Sequence, residues 1–182
     1  AAAVAATVPR SESYRLMMRP VLVNALEASK DSGTDPPLEL TLADQATVHM
    51  TYGNIVATVG NHVGDLKCYK EALSSYQKAA ESLNQETAPL EWANAHYHLA
   101  RTRHAIAEKG GGLPMLAKAL ESCQASLGYY TNSDYPMEWG LLQGRLGSLL
   151  YKTDTVNGNN ENLKTAVAAF QSALQIINKD ES

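Results

Sequence analysis

The chain has 182 residues, of which 45% are hydrophobic and 19% are charged, and its formal net charge is −4. A chain of this length can bury about 70% of its unfolded surface, so the composition predicts an ordered domain without the help of disulfides or a structural metal. The negative charge excludes a dedicated nucleic-acid binder, which needs a basic surface, and no segment approaches the roughly 20 apolar residues of a membrane span.

Two features of the sequence bear on processing and compartment. Residues 1–19 are rich in alanine and contain no acidic residue before Glu12, which fits either a partial first repeat or a processed leader. The two cysteines, Cys68 and Cys123, form no CxxC pair, and no Asn-x-Ser/Thr acceptor is present. These features favour a soluble intracellular protein, in the cytoplasm or in an organelle lumen.

A repeat with a period of 47 residues organises the chain. The motif Pro89-Leu90-Glu91-Trp92 recurs 47 residues later as Pro136-Met137-Glu138-Trp139. Small residues recur at the same interval, in the rows Gly53, Ala100, Gly147 and Ala72, Ala119, Ala166. The period divides the chain into the segment 1–19, the second helix of a partial repeat at 20–36, repeat 1 at 37–84, repeat 2 at 85–131, and repeat 3 with the C-terminus at 132–182.

Each repeat is predicted to contain two helices, because its apolar residues recur at steps of three and four. In chain order these helices span residues 41–59, 65–83, 90–109, 114–129, 137–152 and 161–177. Asp65 fits a side-chain cap and Pro114 fits a first helical turn. Loops rich in glycine or asparagine are predicted between the two helices of each repeat, at 60–64, 110–112 and 157–160. Strand patterns are nearly absent, so the predicted fold class is all-α.

The recurring small residues have a predicted packing role. We expect Gly53, Ala100 and Gly147 where the first helix of a pair approaches the second closely. The residues Tyr76, Cys123 and Phe170, which recur four positions after the alanine row, are expected to fill the remaining space. Cys123 is the smallest of them, so the middle repeat is expected to be less tightly packed.

This pattern resembles the tetratricopeptide repeat. The resemblance rests on large-then-small pairs such as Tyr52-Gly53 in the first helix and on the spacing Ala72-Tyr76-Ala79 in the second. The 47-residue unit is longer than the ~34 residues typical of that family and also falls among the lengths of HEAT and armadillo units. It is most similar to long variants that carry Pro-Leu-x-Trp. The resemblance implies a right-handed α-solenoid of antiparallel helix pairs, with three full repeats and a partial N-terminal one.

No group of residues in the sequence predicts catalysis, a metal or a cofactor. On a helix His96 and His98 point about 200° apart, whereas metal-binding histidine pairs use i, i+4 spacing. Cys123 replaces the aromatic residue of the sister repeats, so we expect it to be buried rather than nucleophilic. Residues 110–112 follow a helix and lack the GKS/T of a phosphate loop. The sequence therefore predicts a non-enzymatic protein.

The resemblance implies a concave groove built from the first helices. The polar candidates for this groove are Asn54, Asn94, Tyr97, Arg101, His104, Arg145 and Tyr151. Such side chains suit the backbone and acidic groups of an extended peptide. The predicted function is a protein-interaction scaffold or adaptor for a protein or peptide partner. The alternative is a permanently bound subunit of a larger assembly, since uncapped solenoid ends expose apolar surface for self-association or docking.

Overall fold

The computed structural model describes residues 40–180, which form six α-helices and no strand. The helices are α1 (Leu42–Val63), α2 (Leu66–Ser82), α3 (Pro89–Ile106), α4 (Gly112–Leu127), α5 (Pro136–Asn157) and α6 (Leu163–Asp180), with a π-helical turn at Ala107–Gly111. The predicted all-α class is confirmed. The N-terminal segment 1–19 and the helix predicted at 20–36 lie outside the described residues. In the described part of the chain, no helix combines the length and apolarity needed to cross a bilayer.

The 47-residue period of the sequence is also a period of local structure. Helices α1, α3 and α5 begin 47 residues apart, and the residues before α3 and α5, Ala88 and Tyr135, have nearly identical φ/ψ angles of −138°/59° and −138°/62°. Pro89 and Pro136 follow them at the first helical position, where a missing N–H breaks no helical hydrogen bond. Thr41 precedes α1 at the equivalent position and caps it with its hydroxyl, which accepts from the backbone N–H of the third helical residue at 3.2 Å.

Each helix packs on its neighbours in the sequence, so the core runs between the repeats as well as within them. One buried cluster joins α1 and α2 to α3 through Val56, Ala57, Cys68, Ala72, Tyr76 and Leu99. A second joins α3 and α4 to α5 through Ala93, Ala100, Leu116, Ala119, Cys123, Tyr130, Leu142 and Leu149. The interface between two repeats is therefore part of the hydrophobic core.

The close approach predicted for the row of small residues occurs at both glycines. A Cβ atom at position 53 would lie 2.6 Å from the Tyr76 ring, and one at position 147 would lie 2.9 Å from the backbone oxygen of Ala166. In the middle repeat, Ala100 and Cys123 share the same buried cluster. Because a thiol occupies less space than a phenol ring, the middle repeat accommodates an alanine methyl where repeat 1 requires glycine.

One expectation about these elements was wrong, and another was met only in part. Residues 60–63, predicted to be a loop, continue α1, which ends at Gly64 with a φ of 68°. Gly60 is buried, and a Cβ there would lie 3.1 Å from the Cβ of Cys68, so this glycine serves close packing rather than a turn. Phe170 fills the space beside Gly147 only in part: a Cβ at position 147 would lie 3.0 Å from its ring, but the residue is 39% exposed, because no described helix covers its other side.

Replacing Gly147 with alanine is expected to destabilise the chain by about 1 to 3 kcal/mol, because its methyl group would overlap the backbone of α6. The matched control is Gly144→Ala in the same helix, where a Cβ would lie 3.7 Å from the Cβ of Ala173, an ordinary contact. This control is expected to be neutral or stabilising by up to about 1 kcal/mol, since alanine favours helix. Urea unfolding measures both, and equal effects of the two substitutions would contradict the close approach.

Candidate functional site

A cleft of about 460 Å³ lies beside the N-terminal turns of α3 and α5. It is lined by Leu90, Glu91, Asn94, Tyr97, Tyr130, Glu138 and Leu141. Glu91 and Glu138 are 47 residues apart, and so are Asn94 and Leu141. The cleft is therefore formed by equivalent positions of successive repeats, one set on each first helix.

Tyrosine side chains form one wall of this cleft. The ring of Tyr130 is buried and lies edge-on to Tyr135, with centroids 5.3 Å apart, and edge-on to Tyr129 at 5.6 Å. The hydroxyls of Tyr129 and Tyr135 are 3.2 Å apart, within hydrogen-bond distance. Burial and the nearby Glu138 carboxylate raise the pKa of Tyr130 to about 12, so its phenol stays neutral under ordinary conditions.

The charge of the cleft comes from its two glutamates. Among the described residues that line it, Glu91 and Glu138 are acidic and none is basic. Both glutamates are exposed and lie in the first turns of their helices. An aromatic wall beside two carboxylates is an environment that attracts a cation, through charge and through the electron-rich ring faces.

Of the predicted groove residues, Asn94 and Tyr97 line the cleft. Arg145 lies beside it, with its guanidinium carbon 5.9 Å from the centroid of the Tyr97 ring. The Nε atom of Arg145 is buried and has no hydrogen-bond partner. Arg145 is thus held partly inside the protein rather than extended into the cleft.

Asn54 and Arg101 meet at a second position, on the buried hydroxyl of Tyr76. The Oδ1 atom of Asn54 accepts a hydrogen bond from this hydroxyl at 2.8 Å. Burial raises the pKa of Tyr76 to about 12, and the neighbouring Arg101 opposes that rise. These two candidates therefore satisfy a core tyrosine and lie outside the cleft lining.

The last two candidates are separated from the cleft. His104 is buried, with its Nε2 atom 3.9 Å from the carboxylate of Glu108, and burial lowers its pKa. Tyr151, its equivalent in repeat 3, is exposed on α5. Neither side chain lines the cleft.

The neighbouring histidines contact different aromatic partners. His98 stacks on Tyr76 with ring centroids 4.9 Å apart, whereas His96 contacts Trp92 at 4.0 Å. Burial, together with the positive charges of Arg101 and Arg145, lowers the pKa of His98 to about 4. No group of three or more histidine, cysteine or acidic side chains within residues 40–180 is arranged to hold a metal ion.

Both cysteine side chains are buried. The Cys123 thiol donates to the carbonyl oxygen of Leu142 at 3.5 Å, and burial raises its pKa to about 11. A thiol with such a pKa is protonated near neutral pH and is a poor nucleophile. Cys123 is therefore a packing residue, in agreement with the expectation from its position in the repeat.

Sequence reasoning missed five residues of the cleft. They are Leu90, Glu91, Tyr130, Glu138 and Leu141. The two glutamates carried a usable signal, because they recur in the Pro-x-Glu-Trp motif at solvent-exposed helix starts. Tyr130 follows the end of α4. Leu83 and Ile177 lie 47 residues before and after it, so the repeat indicates an apolar position, but no pattern indicates that the ring of Tyr130 reaches the cleft.

Asp154 is a buried residue that the sequence did not single out. Its carboxylate accepts from the backbone N–H and the side-chain amide of Asn162, both at 2.7 Å. These two bonds join the end of α5 to the start of α6 and satisfy a carboxylate that is 1% exposed. Asp154 therefore orders the connection within repeat 3 and has no part in the cleft.

Comparison with protein-family models, with curated proteins and with solved structures gave no match to this chain. The resemblance to the tetratricopeptide repeat remains a prediction from residue spacing.

Acidification is expected to destabilise the fold, because His98 binds a proton more weakly in the folded chain than in the unfolded chain. Its pKa is about 4 when folded, against the ordinary value of 6.5. Above pH 6.5, His98 is neutral in the folded and in the unfolded chain, and its contribution to the free energy of unfolding is complete. As the pH falls from 6.5 towards 4, the unfolded chain binds the proton first, so the free energy of unfolding decreases. Urea unfolding across this pH range measures the effect. His98→Phe, which keeps a ring beside Tyr76, should flatten the slope, whereas the exposed control His62→Gln should not. Equal slopes in wild type and His98→Phe would contradict this assignment.

Neither thiol of the native chain is expected to react with Ellman's reagent, since both are buried and Cys123 is protonated. Unfolding in urea should make both react. The rate of colour development, compared with that of a glutathione standard, measures this protection. Rapid reaction of Cys123 in the folded protein would show that the thiol is accessible and would contradict a packing role.

Proposed function

We propose that the chain is a non-enzymatic protein-interaction scaffold, built as a right-handed solenoid of antiparallel helix pairs of the tetratricopeptide type. In this proposal, the cleft beside α3 and α5 binds an extended polypeptide segment through a lysine or arginine side chain. The spacing of small and large residues and the packing of each helix on its sequence neighbours support the solenoid.

The observation that carries the proposal is the origin of the cleft in equivalent positions of two repeats. Glu91 and Glu138 occupy the same place in successive units, so each of the two first helices contributes one carboxylate to the cleft. An extended chain suits such a surface because it can contact both helices at once along its length. A compact small molecule has no need of that periodicity.

The residues that line the cleft indicate the sign of the charge on the ligand. The arginines Arg101 and Arg145, taken alone, favour an acidic segment, but neither lines the cleft. The residues that do line it supply two carboxylates, the amide of Asn94 and two tyrosine rings. The ring of Tyr97 already has one guanidinium near it, that of Arg145, so the two glutamates rather than this ring are expected to hold the cation of the ligand.

A fluorescein-labelled Gly/Ser peptide with a central Arg-Gly-Lys sequence is expected to bind more tightly than its Glu-Gly-Glu counterpart, because the cleft is acidic. The double substitution Glu91→Gln, Glu138→Gln should weaken binding of the basic peptide by about tenfold, which is typical of losing charge-assisted contacts at a binding centre. Fluorescence anisotropy measures both affinities. Added salt should also weaken binding, because the glutamates are exposed.

The matched control is Glu81→Gln, Glu121→Gln, which removes the same charge from exposed positions on α2 and α4. It should leave affinity unchanged. Preferential binding of the acidic peptide, abolished by Arg101→Ala or Arg145→Ala, would contradict the acidic cleft. That outcome would support the arginine groove expected from the sequence.

A further inference from the structure

The hydroxyl of Tyr130 differs from those of the other buried tyrosines. Tyr69, Tyr76 and Tyr130 are 7%, 0% and 5% exposed. The Tyr69 hydroxyl donates to Oδ1 of Asn61 at 2.9 Å, and the Tyr76 hydroxyl donates to Oδ1 of Asn54 at 2.8 Å. Within the part of the chain that the structure describes, the Tyr130 hydroxyl has no hydrogen-bond partner. A tyrosine hydroxyl in a buried residue usually has one, so this group is available to a ligand.

The Tyr130 hydroxyl belongs to the cleft that we propose as the binding site. Tyr130 lines this cleft, and its ring is held by the edge-on rings of Tyr129 at 5.6 Å and Tyr135 at 5.3 Å. The Glu138 carboxylate, which lines the same cleft, is close enough for its charge to raise the pKa of the phenol. A ligand cation that binds Glu138 therefore comes near a hydroxyl that packing already holds in place.

The number of N–H groups distinguishes lysine from arginine at such a site. The carboxylates of Glu91 and Glu138 provide four oxygen atoms as acceptors. With one hydrogen bond to each oxygen, they satisfy the three N–H groups of a lysine ammonium but not the five N–H groups of an arginine guanidinium. The neutral Tyr130 hydroxyl is a further acceptor beside Glu138, and only the guanidinium has an N–H group left for it.

Two other residues of the cleft carry acceptors but are less suited to this role. Asn94 is exposed, so packing does not hold its amide in one orientation. The ring of Tyr97 lies 5.9 Å from the guanidinium carbon of Arg145, whose positive charge repels a second guanidinium. Tyr130 is therefore the acceptor that the packing of the cleft places best.

We propose that the cleft selects arginine over lysine in its ligand, and that the Tyr130 hydroxyl makes this distinction by accepting one guanidinium N–H. The inference rests on the proposed function and narrows the partner from a basic segment to a segment that carries arginine. The two glutamates attract either side chain by charge, whereas the hydroxyl responds to the number and position of the N–H groups.

Three fluorescein-labelled Gly/Ser peptides test the selection, with a single central arginine, lysine or asymmetric dimethylarginine. Titration with the full chain up to about 1 mM covers the weak affinity expected for one side chain. The arginine peptide is expected to bind about tenfold more tightly than the lysine peptide, as is typical of an added hydrogen bond to a charged group. Dimethylarginine keeps the charge but loses N–H groups, so it should bind as weakly as lysine. Fluorescence anisotropy measures all three affinities.

Tyr130→Phe tests the residue, because it keeps the ring and removes only the hydroxyl. It should weaken binding of the arginine peptide by about tenfold and that of the lysine peptide by less than about twofold. The hydroxyl has no partner among the described residues of the free chain, so the melting temperature should stay at the wild-type value. A purely structural role of the hydroxyl would instead lower the melting temperature.

The matched control is Tyr69→Phe, which removes the hydroxyl of another buried tyrosine that lies outside the cleft lining. This variant should have a lower melting temperature, because Asn61 loses a hydrogen bond. It should bind the arginine and lysine peptides with wild-type affinities.

The outcomes separate this inference from the proposed function. Equal binding of the arginine and lysine peptides, both weakened by Glu91→Gln, Glu138→Gln, would overturn the selection of arginine and leave the proposed function in place. A preference for arginine that persists in Tyr130→Phe would overturn the role of the hydroxyl. Equal binding of arginine and dimethylarginine would overturn it without any protein variant. If neither basic peptide binds, the proposed function and this inference fail together.

Discussion

The contact on which the rest of the structure depends is the close approach of the two helices within each repeat. At Gly53 and Gly147 the absence of a side chain lets a ring from the second helix lie against the backbone of the first. In the middle repeat the corresponding residues, Ala100 and Cys123, lie in one buried cluster. A larger residue is thus paired with a smaller one where the two helices meet, and each helix pair also contacts the next pair along the chain.

This regular packing gives the chain its cleft. Helices α3 and α5 start 47 residues apart, and the residues before them have nearly the same φ/ψ angles. Residues in the first turns of both helices therefore line the same cleft. The Pro-x-Glu-Trp motif therefore has two consequences. Its proline and tryptophan belong to the helix start and the packing, whereas its glutamate reaches solvent and determines the charge of the cleft.

The exposure of a given position of the repeat depends on whether a further helix packs against it. Tyr76 is enclosed by α1 and α3, but its equivalent Phe170 has only α5 beside it among the described helices. The interior also contains a group that is sensitive to acid, since burial and the charges of Arg101 and Arg145 lower the pKa of His98 and keep its imidazole neutral at mildly acidic pH. Stability and binding surface thus come from the same set of interfaces.

The sequence by itself determined the helices, the period and the packing pairs, because periodicity, proline and glycine act locally and recur at a fixed interval. It did not determine the end of α1, since Gly60 is read as a turn residue until the nearby Cys68 shows why it is small. Asn94 and Tyr97 were predicted from the sequence as binding residues, and both line the cleft. Tyr130 was not predicted, because it reaches the cleft only through the packing of α4 against α5. Tertiary structure decided the cleft because its walls come from residues distant in the chain, and their meeting depends on helix packing that no local pattern encodes.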